Sequence, residues 1–130
     1  MKHNVEFKNL APQPNVRRLI ERLVQRTAKR AKIFAPDEAF LRLMIEENQA
    51  RALHRVSLTL ELPGKRPATK KTLAAKAERH DAVESLRDAF AEIERQLAAY
   101  KATLRGDPGW KRKARRDELR KITRGVSEAS

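Results

Sequence analysis

The chain of 130 residues has no cysteine. Disulfide bridges, thiolate metal sites and thiol nucleophiles are therefore excluded. Its three histidines, His3, His54 and His80, are too widely spaced for the common metal motifs. Neither a metal nor any other cofactor is expected. Glycine is scarce, at four residues, and none builds a phosphate-cradling or dinucleotide-binding loop. There is no Gly-x-Ser-x-Gly elbow, and Ser57 and Ser85 have no base near them in sequence. Glu46 and Glu47 are adjacent, so on a strand they point to opposite faces and cannot share a site. The chain reads as a non-enzyme. No apolar run approaches the ~20 residues of a membrane span. The opening MKHNVEF has no apolar signal-peptide core, so a cytoplasmic protein is expected. Aromatic residues make up only 5%. No strand carries the paired aromatics that stack single-stranded bases, which favours folded RNA recognised by shape.

What the chain has in excess is positive charge. Thirty Lys and Arg oppose seventeen Asp and Glu, a formal charge of +13. On one small domain this points to a polyanion, most commonly nucleic acid. Forty per cent of the residues are hydrophobic, enough for one modest core.

The organising stretch is 81–104. Val83, Leu86, Phe90, Ile93, Leu97, Tyr100 and Leu104 recur at three and four, one stripe of an amphipathic helix. Asp81 followed by Glu84 marks the start as an acidic variant of the capping box. Gly106-Asp107-Pro108-Gly109 marks the stop. Upstream, 3–7 is predicted as a strand with Val5 and Phe7 on one side. From 14 to about 34 the period is helical, with Val16, Leu19, Ile20, Leu23, Val24, Thr27 and Ala31 on one face. The remaining faces carry seven basic residues against the single acid Glu21. A face that merely met water would mix its signs.

Three strands follow. The first, 37–48, has Leu41, Leu43 and Ile45 alternating with Phe40, Arg42 and Met44, and turns at 46–49. The second, 54–62, points Val56, Leu58, Leu60 and Leu62 inward and Arg55, Ser57, Thr59 and Glu61 outward. The third, 71–77, places Leu73, Ala75 and Ala77 on one face, small enough to let a helix lie close. The connection GKRPATKK between the last two holds Lys65, Arg66, Lys70 and Lys71 and is expected to be mobile and to follow a phosphate backbone. The predicted fold is α+β: order β-α-β-β-β-α, a four-stranded, largely antiparallel sheet with both helices on one face.

Beyond 104 the sequence is strongly basic, with nine basic and three acidic residues over 105–124. Leu119 and Ile122 are too few to form a core, so 1–104 is expected to be the folded domain and 105–130 a flexible tail. Trp110 is expected to pack back on the domain, with stacking on a base as the alternative. Candidate RNA contacts are Arg17, Arg18, Arg22, Arg26 and Lys29 on the first helix, and Lys70, Lys71, Lys76 and Arg79 along the connection and last strand. The final helix adds Arg87, Arg95 and Lys101. Contacts of this kind are independent of base sequence and weaken steeply with salt.

Asp81, Leu86, Phe90, Ile93, Arg95, Gln96, Leu97 and Lys101, with Asn4-Val5, Arg17 and Arg26 upstream, resemble the pattern of the ribosome hibernation promoting factor and ribosome-associated translation inhibitor family, also called the sigma-54 modulation protein family. The resemblance covers about 1–104. Arg79, Val83 and Arg87 depart from the pattern. It implies a protein that binds small-subunit RNA between head and body. There it would occupy the channel used by messenger and transfer RNA and stop translation while preserving idle ribosomes. Long members carry a further dimerising domain, so this chain is expected to be a short, monomeric form. Two other readings fit the residues: a double-stranded RNA binding module, and a basic protein whose tail binds an acidic protein partner.

Overall fold

The computed structural model describes residues 1–11 and 13–106. The expectations for Trp110 and for the basic tail lie outside these residues. Six elements follow in the order β1 (Lys2–Lys8), α1 (Pro14–Arg30), β2 (Phe40–Asn48), β3 (Leu53–Pro63), β4 (Lys70–Arg79) and α2 (Ala82–Arg105). The sheet order is β1-β2-β3-β4. The β1–β2 pair is parallel, because α1 carries the chain back between them. The two hairpins, β2–β3 and β3–β4, are antiparallel.

The register explains the core. Val5, Leu43, Leu58 and Ala75 face one another across the four strands, as do Phe7, Ile45, Val56 and Ala77. Side chains alternate along a strand, so these rows share one sheet face. The α2 stripe of Leu86, Phe90, Ile93, Leu97 and Leu104 is wholly buried against it. The predicted face of α1, from Val16 to Thr27, is buried in the same cluster. Both helices therefore cover one side of the sheet. Arg42 and Arg55 are exposed on the other side, with Ser57 and Thr59 half-buried beside them.

Boundaries differ from the sequence reading where local hydrogen bonds override periodicity. α1 ends at Arg30 and does not run on to 34. The Ala31 N–H donates to both Thr27 O and Ala28 O, which tightens the last turn and closes the helix. Phe34 is still core, buried in the following turn and stacked on Tyr100 with ring centroids 6.2 Å apart. β2 begins at Phe40 and not at 37, because the Glu38 N–H donates to Ala35 O in a turn that contains Pro36. Glu46 and Glu47 lie inside β2, and the turn is displaced to 49–52. Asp81 caps α2, its Oδ1 accepting from the Val83 N–H at 3.0 Å. Glu84 reaches instead toward Arg79, at 3.9 Å.

Two alanines hold positions that favour glycine. Ala52 in the β2–β3 turn has φ 51° and Ala68 in the β3–β4 connection has φ 63°. A Cβ there clashes with the backbone at about 1–2 kcal/mol. Part of that relief is offset by the extra freedom glycine gives the unfolded chain. Ala52→Gly is expected to raise stability by about 0.5–1 kcal/mol, read as a higher urea midpoint at unchanged m-value. A lower midpoint would show that the alanine methyl packs usefully.

Candidate nucleic-acid interface

α1 displays its charge in a definite geometry. At 100° per residue, Arg18, Arg22 and Lys29 fall within ~40° of one another, directly opposite the buried Leu23–Thr27 side. The stripe is about 16 Å long at 1.5 Å per residue. All three side chains are exposed, and among the described residues no carboxylate pairs with any of them. Arg17 is exposed on the flank. The helix has no acid in its first turn and no side-chain N-cap; Gln13 makes no capping hydrogen bond and Pro14 follows it. Arg17 and Arg18 thus sit against the positive end of the helix dipole, each unfavourable by about 0.3–1 kcal/mol. Lys29 and Arg30 sit at the favourable end.

The other cations divide into free and occupied. Arg26 Nε donates to Glu94 Oε1 at 2.7 Å, and Arg30 Nη1 lies 3.3 Å from Glu94 Oε2. Glu94, on α2, is buried, its side chain only 8% exposed, while the two arginines are about half exposed. This acid ties α1 to α2 and neutralises part of the cationic face. Arg79 is held by Asp88 at 2.8 Å. Arg95 forms a two-bond pair with Glu92 at 2.9 and 2.6 Å. That hydrogen bonding, with a further bond from Gln96, holds the Glu92 carboxyl at about 2, so the pair stays ionised at neutral pH. Lys101 donates to Arg30 O at 2.8 Å, covering a free carbonyl at the end of α1. Burial, and then the charges of Arg105 and Arg30, push its ammonium below the usual lysine range.

Lys70 and Lys71 are exposed at the start of β4, Arg87 is exposed on α2, and Lys76 is exposed in mid-β4 opposite Ser57. Ser57 belongs to the sheet face away from the helices, so Lys76 points away from the α1 stripe. The twelve candidates therefore do not form one patch. Arg17, Arg18, Arg22 and Lys29 form one surface; Lys71 lies on the helix side of the sheet over Tyr100, Lys70 on the opposite face with Lys76; and Arg26, Arg79, Arg95 and Lys101 have structural partners. The outer sheet face mixes its signs, with Glu46, Arg55 and Glu78 in one register row and Arg55 Nε donating to Glu78 Oε2 at 2.9 Å.

The connection at 64–69 closes on itself through hydrogen bonds. The Gly64 N–H donates to Thr69 O at 2.7 Å, and the Thr69 N–H and hydroxyl both donate to Arg66 O, at 3.2 and 2.6 Å. Residues missed from the sequence were Glu94 and Arg30. A signal for Glu94 existed: it is four residues from Phe90 beside the apolar stripe, an acid where the facing helix carries almost none. Among the described residues, no three His, Cys, Asp or Glu side chains converge as metal ligands. No helix among them is long and apolar enough to cross a membrane.

A two-layer α+β domain with an uncompensated basic helix face is the class these features define. The chain belongs to the sigma 54 modulation protein / S30EA ribosomal protein family, whose family model matches residues 3–105. Among solved structures it is similar to a ribosomal subunit interface protein from Coxiella burnetii, with TM-score 0.60 and 24% identity, covering 78% of this chain and 99% of that one. It is also similar to the Protein Y N-terminal domain of Thermus thermophilus, with TM-score 0.59 and 16% identity, covering 77% of this chain and 99% of that one. At these identities the likeness establishes the fold. No curated protein matches the sequence.

Proposed function

We propose that this protein is a ribosome-associated translation inhibitor of the hibernation type. It binds RNA of the small ribosomal subunit in the channel used by messenger and transfer RNA, as a monomer in the cytoplasm. It acts by occupying that channel and not by catalysis. The carrying observation is the Arg18–Arg22–Lys29 stripe, which among the described residues has no carboxylate partner, on a helix whose own dipole disfavours cations at its start. Charge that weakens the start of a helix and, among the described residues, meets no internal carboxylate is explained by an external anion. Family membership and the ribosomal subunit interface protein among similar structures support the ribosome as that partner. RNA phosphates lining a cleft suit a small wedge whose positive charge is gathered on its helical side.

The duplex-RNA reading needs a basic start to the last helix. Here Asp81 caps that helix, and Asp88 and Glu84 engage Arg79 beside it. The test is co-sedimentation with purified small subunits at two salt concentrations, beside binding to free duplex RNA. Tight, salt-sensitive association with subunits and weak binding to duplex is expected. Equal affinity for both overturns the ribosomal reading.

The boundary near 104 is part of the proposal. Deleting 107–130 is expected to weaken subunit binding several-fold, because its cations add counterion release. The thermal transition should stay within a few degrees. Loss of the transition would place the tail in the folded unit.

A further inference from the structure

A second cationic feature lies apart from the α1 stripe. Between the β3–β4 connection and the C-terminal half of α2 runs an open groove of about 600 Å³, a size common for nucleotide-sized ligands. Lys65, Arg66, Lys70, Lys71 and Arg95 line it, and none of its lining residues is an acid. Arg95 has Glu92 as partner, and Lys70 shares the strand face of Lys76 and so directs its ammonium away from α2, which leaves Lys65, Arg66 and Lys71 without a carboxylate among the described residues.

The wall of the groove is built and braced. Besides the bonds that close 64–69, the Tyr100 hydroxyl donates to Pro63 O at 2.6 Å and ties the root of the connection to α2. The Lys71 ammonium lies 5.8 Å from the centre of the Tyr100 ring. Gly64 leaves no room for a side chain, since a Cβ would come within 2.8 Å of the Thr69 Cβ. Three like charges are thus carried on a closed backbone frame, so the connection itself needs little ordering by a ligand. A polynucleotide backbone spreads one charge per nucleotide along its length. Three cations around one concavity match several charges carried on one compact group.

We infer that this groove is a site for a nucleoside polyphosphate group, supplied either by a free nucleotide or by the 5′-triphosphate end of an RNA. Binding there goes beyond the ribosomal reading and does not depend on it. The assay therefore contains no ribosome. It titrates the full chain with ATP, GTP, their monophosphates, and a short RNA bearing either a 5′-triphosphate or a 5′-hydroxyl.

The triphosphates are expected to bind at least about tenfold more tightly than the monophosphates. Lys65→Gln and Arg66→Gln, whose side chains hold nothing else in place among the described residues, are each expected to weaken triphosphate binding about three- to tenfold. Arg51→Gln, in the turn at the opposite end of β3, removes the same charge and should change nothing. Free triphosphate binding as tightly as the triphosphate RNA assigns the site to free nucleotide, whereas a clear advantage for the RNA assigns it to an RNA end. Equal binding of mono- and triphosphates, equal loss in Arg51→Gln and Arg66→Gln, or no triphosphate binding at millimolar concentration would each overturn the inference.

Discussion

Replacing Arg18, Arg22 and Lys29 together with glutamate is expected to abolish association with small ribosomal subunits near physiological salt while the domain stays folded. Each ion contact with a phosphate at ~4 Å in water is worth ~1 kcal/mol. Three lost contacts remove ~3 kcal/mol, on the order of a hundredfold in affinity, and the introduced carboxylates add repulsion. The slope of log affinity against log salt should fall in magnitude by about 2–3, close to one unit per contact. Stability should hardly move. The three positions are exposed, and glutamate is about as good a helix former as arginine or lysine. A glutamate at 18 improves the dipole interaction while one at 29 worsens it, so those effects offset. Arg26 is left out deliberately, because its guanidinium is bonded to Glu94 and reversing it would place two acids together. A variant that keeps its thermal transition and still sediments with subunits would remove α1 from the interface.

The apolar half of this molecule was legible because burial imposes a period. Every residue named on the predicted inward faces of α1, β3 and α2 is in the core or packed against it, since stripes at 3.6 and 2.0 residues leave few alternatives. The α+β layering followed from pairing those stripes. The cationic half was less legible, because charge carries no period and its partners are distant in sequence. Arg22 and Arg26 look alike along the chain, yet among the described residues one meets no acid and the other is bonded to an acid 68 positions away. Arg79 and Asp88 meet only because the β4–α2 junction folds back. The Arg95–Glu92 pair, three residues apart on one helix, could have been read directly. The GKRPATKK connection has the composition of a mobile loop. Thr69, whose backbone and hydroxyl both close on Arg66 O, makes it a braced one.

Glu94→Gln is expected to move stability and RNA affinity in opposite directions. Arg26 and Arg30 are four residues apart on α1, a spacing at which like charges repel. Glu94 bridges them at 2.7 and 3.3 Å from a nearly buried position on α2, so it both relieves that repulsion and seats one helix on the other. The glutamine amide keeps the volume and one acceptor oxygen but loses the charge. Hydrogen bonds to charged groups contribute about 1.5–3 kcal/mol when well shielded and less when a partner meets water. Both arginines are about half exposed, so a loss of about 1–2 kcal/mol is expected. For a domain of this size that is a fall of ~5–10 °C in the thermal midpoint. The same change frees two guanidinium groups on the helix that carries the stripe. Affinity for folded RNA should therefore rise several-fold, and the salt slope should steepen by about 1–2. If Glu94 were only packing, stability would fall with no change in slope. If affinity and stability fell together, the seating of α1 on α2 would matter more to binding than the charge it releases, and the interface would have to be sought across both helices.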